Sequence, residues 1–127
     1  MGPVWDYDTC YGNQEVATCI KPTGYHVSGS PWYRKLTADE TFSRLIRERW
    51  TNLRDGGVFD EFIKKLWQTS DYISQSRKKD HELWSDALKY NGLRGRKSVY
   101  TFDEEIEYVY DWIVQRTDWL DSEWYIN

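Results

Sequence analysis

Proline is scarce in this sequence, with three in 127 residues, at Pro3, Pro22 and Pro31, and none afterwards. The strongest helix breaker is therefore missing from everything beyond position 31. Cysteine is equally sparse. Two residues, Cys10 and Cys19, exclude a disulfide-dense scaffold and a four-cysteine zinc site. Nine positions apart, they leave two readings open, a hairpin disulfide or two separate thiols. His26 and His81 have no second His or Cys at metal-ligand spacing. A Walker loop, a G-x-S-x-G elbow and a Cys/His nucleophile pair are all lacking. No apolar run approaches the roughly 18 residues of a membrane helix, and no charged-then-apolar leader opens the chain. A net charge of −4 excludes a general nucleic-acid binder.

What the sequence has in excess is aromatic surface: 8 Trp, 10 Tyr and 4 Phe. That is enough apolar material to drive folding despite a mean hydropathy of −0.84, so full disorder is excluded. The length suits one domain or a piece of a larger one. Met1-Gly2-Pro3-Val4-Trp5-Asp6 runs straight into apolar and acidic residues, and the chain is expected to be a piece of a longer protein. Prolines and four of the eight glycines fall within residues 1–35. The expected organisation is an extended, turn-rich head over 1–35 and a helical body over 36–127, forming one compact unit.

In the head, Val4-Trp5-Asp6-Tyr7-Asp8 alternates with a period of two, as a strand does. Residues 15–20 read as a second strand, and Gly12-Asn13 and Thr23-Gly24 as turns. In the body, Thr37-Ala38-Asp39-Glu40 has the pattern of a capping box. Phe42, Leu45, Ile46, Trp50 and Leu53 then follow at helical spacing until Asp55-Gly56-Gly57 stops the helix. A second helix is predicted over 59–76, with Phe59, Phe62, Ile63, Leu66, Ser70 and Ile73 inward. It continues after a break through 80–89 with Leu83, Trp84, Ala87 and Leu88. Residues 90–97 read as a loop. Thr101-Phe102-Asp103-Glu104 is another capping box, and Phe102, Ile106, Val109, Ile113, Arg116 and Leu120 step by four and three behind it. The fold class is therefore mainly α, with three to four packed helices after a short extended or β-hairpin head.

Charge is uneven along the chain. Residues 77–97 carry seven Lys/Arg against three Asp/Glu, and residues 101–127 one Arg against eight Asp/Glu. Mutual attraction within the fold, a basic partner for the last helix, and a phosphate site on the loop all fit this pattern. Trp50, Trp67, Trp84, Trp112 and Trp119 lie on or beside helical stripes and read as core. Trp5, Trp32, Tyr33, Trp124 and Tyr125 lie in irregular or terminal segments and read as exposed. Asp6 and Asp8 are the candidate metal ligands. At i and i+2 on a strand their carboxylates share a face, and such a pair needs a compensating cation. Hard oxygen ligands of this kind suit Mg2+ bridging nucleotide phosphates. Two solvated acids near a turn are the plainer alternative.

Three blocks together resemble the C-terminal part of the CotH family, the spore-coat-protein-H-like atypical protein kinases. Gly2-Pro3-Val4-Trp5-Asp6-Tyr7-Asp8 with Gly12-Asn13 is similar to its G-P-x-W-D-(F/Y)-D segment. Pro31-Trp32-Tyr33-Arg34-Lys35-Leu36, Asp39, Phe42 and Arg49-Trp50-Thr51-Asn52-Leu53-Arg54 resemble its middle stretch. Asp111-Trp112-Ile113 through Arg116, Trp119, Leu120 and Asp121 resemble its closing helix. The resemblance implies a kinase-like fold, with this chain as the tail of the C-lobe, and phosphorylation of protein serines with ATP and Mg2+. It implies a metal ligand at Asp6, supported by Asp8. It also implies that the phosphate lysine, its glutamate, the nucleotide-covering lobe and the catalytic aspartate lie upstream. On that reading the chain holds no catalytic residue and no bound cofactor of its own. It scaffolds the site, is inactive alone, and has the upstream lobe and a protein substrate as partners. A bacterial cell surface, secreted or spore-coat setting follows from the same resemblance. The alternative from the residues alone is a stand-alone helical module that binds glycan or protein through exposed Trp and Tyr.

Overall fold

A computed structural model describes residues 10–13, 16–25, 29–88 and 101–126. Six helices follow in order: α1 (Ala17–Ile20), α2 (Pro31–Thr37), α3 (Glu40–Asp55), α4 (Val58–Tyr72), α5 (Ser74–Leu88) and α6 (Phe102–Trp124). Among the described residues there is no strand. Helix α3 packs against α2, α4 and α6, and α4 packs against α5 and α6.

The start of α3 corrects the predicted capping box. Thr37 is the last residue of α2, and its hydroxyl donates back to Tyr33 O at 2.9 Å. It is therefore spent within a helix and cannot cap the next one. Asp39 has the extended backbone a cap requires and accepts from the Phe42 amide at 2.8 Å. The stop at the other end is as expected. Gly56 caps α3, and Gly57 takes φ 67°, a left-handed conformation open to glycine, before α4 begins. The break after α4 falls at Ile73, and α5 carries a second irregularity, with Trp84 at φ −125° and ψ 18°. The capping box of α6 forms as predicted, with Thr101 accepting from the Glu104 amide while the Glu104 carboxylate accepts from the Thr101 amide. Asp103, Glu104 and Glu105 fill its first turn, where they complement the helix dipole. At 23 residues, α6 is roughly 35 Å long and is the spine of the fold.

The buried centre consists of Trp50 from α3 with Ile113 and Leu120 from α6, and it includes the small polar residues Ser70 and Thr117. Phe59 of α4 lies 4.9 Å from the Trp50 ring. At the far end of α6, Arg77 of α5 pairs with Asp103 and covers the Phe102 ring at 4.7 Å. This is one point where the basic and acidic segments meet. Two stripe tryptophans depart from the predicted core. Trp84 is 61% exposed at the irregular turn of α5. Trp67 rests against Tyr110 at 5.7 Å but keeps much of its surface in solvent. Trp124, expected to be exposed, is half-buried.

The head differs more. The second strand predicted over 15–20 is not formed, because Ala17–Ile20 closes a helical turn with Ile20 N bonded to Val16 O at 3.3 Å. Pro31, read as part of the extended head, sits at the first helical position of α2, where its fixed φ favours a helix start. Helix α2 thus runs across the expected boundary at 35. Cys10 and Cys19 are not joined in a disulfide. The predicted strand around Asp6 and Asp8 and the loop over 90–97 lie outside the described residues.

Replacing Ile113 with Ala should lower stability by about 2–5 kcal/mol, as buried large-to-small changes do. Trp84→Ala should change it by less than about 0.5 kcal/mol. Urea denaturation of the two variants checks this ordering, and equal losses would contradict the assignment of the core.

Candidate functional site

The last three turns of α6 bring most of the polar chemistry together, and they do so by holding two other parts of the chain. The first is the C-terminal turn of α3. Asp121 Oδ1 accepts from Trp50 Nε1 at 2.8 Å, and both its oxygens take the Arg54 guanidinium in a forked pair at 2.8–3.1 Å. One carboxylate thus satisfies an indole and a guanidinium that are only about a quarter exposed or less. Just beyond, Tyr125 donates to Asp55 Oδ1 at 2.7 Å and the Ile126 amide donates to Thr51 Oγ1 at 3.1 Å.

The second part is the head. Trp112 Nε1 donates to Ile20 O at 2.9 Å. Arg116 Nη1 donates to Pro22 O at 2.9 Å and to Gly24 O at 2.8 Å, and its guanidinium lies 4.8 Å from the centre of the Trp119 ring. The Ile20 carbonyl ends α1 and those of Pro22 and Gly24 belong to the irregular backbone after it, so side chains of α6 supply the donors that regular structure does not. Burial pushes the Arg116 guanidinium below its ordinary pKa. Tyr25 closes the sequence of contacts. It stacks on Trp124 at 5.5 Å, meets Trp119 edge-on at 4.8 Å, and donates to Glu123 Oε2 at 3.2 Å. Burial and the neighbouring Glu123 carboxylate hold its hydroxyl protonated, with a pKa pushed up to about 12.

The turn at 10–13 is the tightest approach. Asn13 N bonds to Cys10 O at 3.0 Å, with Tyr11 at φ 53° and Gly12 at φ 77° between them. Two successive positive φ values are the pattern of a type I′ turn, which favours glycine. A Cβ on Gly12 would stand 2.7 Å from Ile20 O, 2.7 Å from Tyr108 Oη and 2.8 Å from Trp112 Nε1. Only a hydrogen fits there. Tyr11 leans edge-on against Trp112 at 5.8 Å.

The residues predicted to be ligands and those predicted to be core thus part company. Asp6 and Asp8 lie outside the described residues, two positions and more before the anchored turn. Among the described residues no group of three His, Cys, Asp or Glu is arranged to hold a metal ion, and no helix is long and apolar enough to cross a membrane. Arg116, placed on the inner stripe by spacing, faces the head carbonyls. The bridging role of Asp121 and the carbonyl-capping roles of Trp112 and Arg116 were not foreseen. The available signal was the recurrence of Trp, Arg and Asp at three- and four-residue steps late in α6, too polar for a plain core stripe.

Asp121→Ala should cost about 2 kcal/mol or more by leaving Trp50 and Arg54 without their acceptor, and Asp121→Asn should cost less because one acceptor oxygen survives. Thermal melts of both variants check this. Tyr25 gives a pH signature. Its folded pKa is raised above the unfolded value near 10, so its contribution is complete below about pH 10 and is lost as pH climbs towards about 12. The fall in melting temperature between those values should be shallower in Tyr25→Phe.

A comparison with protein families matches residues 1–120 to the family described as CotH kinase protein. No significant match was found among curated proteins or among solved structures. The match covers nearly all of the chain, including the Trp50–Arg54 turn and most of the α6 residues that grip the head, and the chain belongs to the CotH family.

Proposed function

We propose that this chain is the helical base of a CotH-type protein kinase, the part that fixes the metal-binding segment in place for phosphoryl transfer from ATP to a protein serine. The observation that carries this reading is the anchoring of the turn at 10–13 onto Trp112 and Tyr108 of α6. It lies directly downstream of Trp5-Asp6-Tyr7-Asp8, the segment that supplies the metal ligand in the resemblance. In this reading the six helices form the tail of a kinase-like C-lobe, and the lysine, the nucleotide-covering lobe and the catalytic aspartate come from upstream.

The donor set fits Mg2+ in one respect. Two carboxylates at alternate positions offer what Mg2+ takes from a protein when nucleotide oxygens and water complete its octahedron. Asp6 would hold the ion, with Asp8 beside it. Bound there, Mg2+ would neutralise charge on the nucleotide phosphates. The chain's own contribution is positional. Trp112 and Arg116 tie down the carbonyls of residues 20–24, Gly12 lets the turn reach the surface of α6, and the Asp121 bridge holds α6 to α3. Phosphoryl transfer depends mainly on positioning and electrostatics, so looseness in this base would appear as lost rate.

Two experiments test the reading. The 127-residue chain alone should transfer no phosphate from Mg-ATP to a serine peptide. In the longer protein, Asp6→Asn should abolish transfer. Gly12→Ala there should raise the Mg2+ concentration needed for half-maximal rate by about tenfold, since it displaces the turn that follows the ligands. Transfer by the isolated chain, or full activity of the Asp6→Asn protein, would overturn the proposal.

A further inference from the structure

A concave surface lies beside the C-terminal end of α6. Tyr25, Tyr33, Phe42, Ile46 and Trp124 line a groove of about 450 Å³ between α2, α3 and the end of α6. That volume is within the range of about 300–1,000 Å³ typical of ligand sites. Its floor is aromatic and aliphatic, and its polar rim carries Thr37, Ser43, Arg47 and Glu123.

The rim groups are not equivalent. The Thr37 hydroxyl donates to Tyr33 O at 2.9 Å and the Ser43 hydroxyl donates to Thr37 O at 3.0 Å, so both protons are already committed to backbone. Glu123 accepts from Tyr25. Arg47 alone on this rim makes no hydrogen bond or ion pair among the described residues. Its neighbour along the helix, Arg44, is paired with Glu48 at 2.6 Å. Locally, residues 31–50 carry five Lys/Arg against three Asp/Glu, within a chain whose net charge is −4. The groove therefore offers apolar surface, one unpaired guanidinium and the Tyr33 hydroxyl, with the Thr37 and Ser43 protons used by backbone and the Glu123 carboxylate taken by Tyr25. A sugar needs many directed donors and acceptors and is poorly matched. An aromatic side chain followed by a carboxylate is well matched, because the ring takes the floor and the carboxylate takes the fork of Arg47.

We infer that this groove docks a partner protein through a short segment in which an aromatic residue is followed by an aspartate or glutamate. The inference stands apart from the metal segment and does not depend on catalysis.

The test is a 15N–1H NMR titration of the chain with N-acetyl-Phe-Asp-amide, N-acetyl-Phe-Asn-amide and methyl cellobioside. The aspartyl compound should shift the amides of Ser43, Ile46 and Arg47 and the indole signal of Trp124. It should bind about three- to fivefold tighter than the asparaginyl compound, the scale of one partly exposed ion pair. Arg47→Gln removes a guanidinium with no partner within the described protein, so the fold should be unaffected while the preference for the aspartyl compound disappears. Arg47→Lys should retain part of it. Equal binding of the two dipeptides to the native chain, an unchanged preference in Arg47→Gln, absence of shifts at these residues at about 10 mM ligand, or stronger shifts from the disaccharide would each overturn the inference.

Discussion

Asp121 serves two donor side chains, Trp50 and Arg54, with its two oxygens, and the arrangement of the helices follows from that. Without it, Trp50 would keep its ring in the core but lose the acceptor for its Nε1, and Arg54 would face the end of α6 as an unpaired charge. Both donors sit on α3, four residues apart and so on one face of the helix. The carboxylate accordingly fixes the rotation of α3 about its own axis and its slide along α6. Tyr125 and Ile126 then meet Asp55 and Thr51 on the same turn. Polar contacts thus set the register, and the buried apolar residues Trp50, Ile113 and Leu120 supply cohesion that is less specific in direction.

A second feature of α6 is that the side chains facing the head are donors. Trp112 and Arg116 stand one turn apart and cap carbonyls of a segment that has little regular structure of its own. Arg116 meets carbonyl dipoles and the face of Trp119, so its charge is balanced by partial charges distributed over several groups. Such a site tolerates lysine poorly, since an ammonium cannot lie flat on the indole while reaching two carbonyls. The same helix therefore does two jobs: its acidic first turn faces α5, and its last three turns organise α3 and the head.

The helical body was largely legible from residue patterns. The glycine pair at 56–57 and the capping box at Thr101 are local signals whose physics lies within four residues, and both stand as read. The four-three stepping of Ile113 and Leu120 marked the core of α6. What was not legible was set by distant partners. The segment 15–20 has β-branched residues, yet its carbonyl at Ile20 is claimed by Trp112, far along the chain, which suits a helical turn better than a ladder. Thr37 looked like a cap because the sequence does not show that α2 already uses it. Trp84 sat on a good stripe, but α5 bends at that residue. The candidate ligands Asp6 and Asp8 were found through their motif, whereas the anchoring beside them depends on Tyr108 and Trp112, a proximity that spacing in the head cannot reveal.

The separation in sequence between the head and its partners has a consequence for biosynthesis. The carbonyls of Ile20, Pro22 and Gly24 wait for donors 92, 94 and 92 residues further on. At translation rates of about 5–20 residues per second, that is a delay of roughly 5–20 s. During it the turn at 10–13 and the ring of Tyr25 have no surface to rest on, while α3 and α4 can already pair with each other. The head is therefore made before the helix that holds it and is seated only after that helix forms, and a holdase that meets this region during synthesis finds it uncovered.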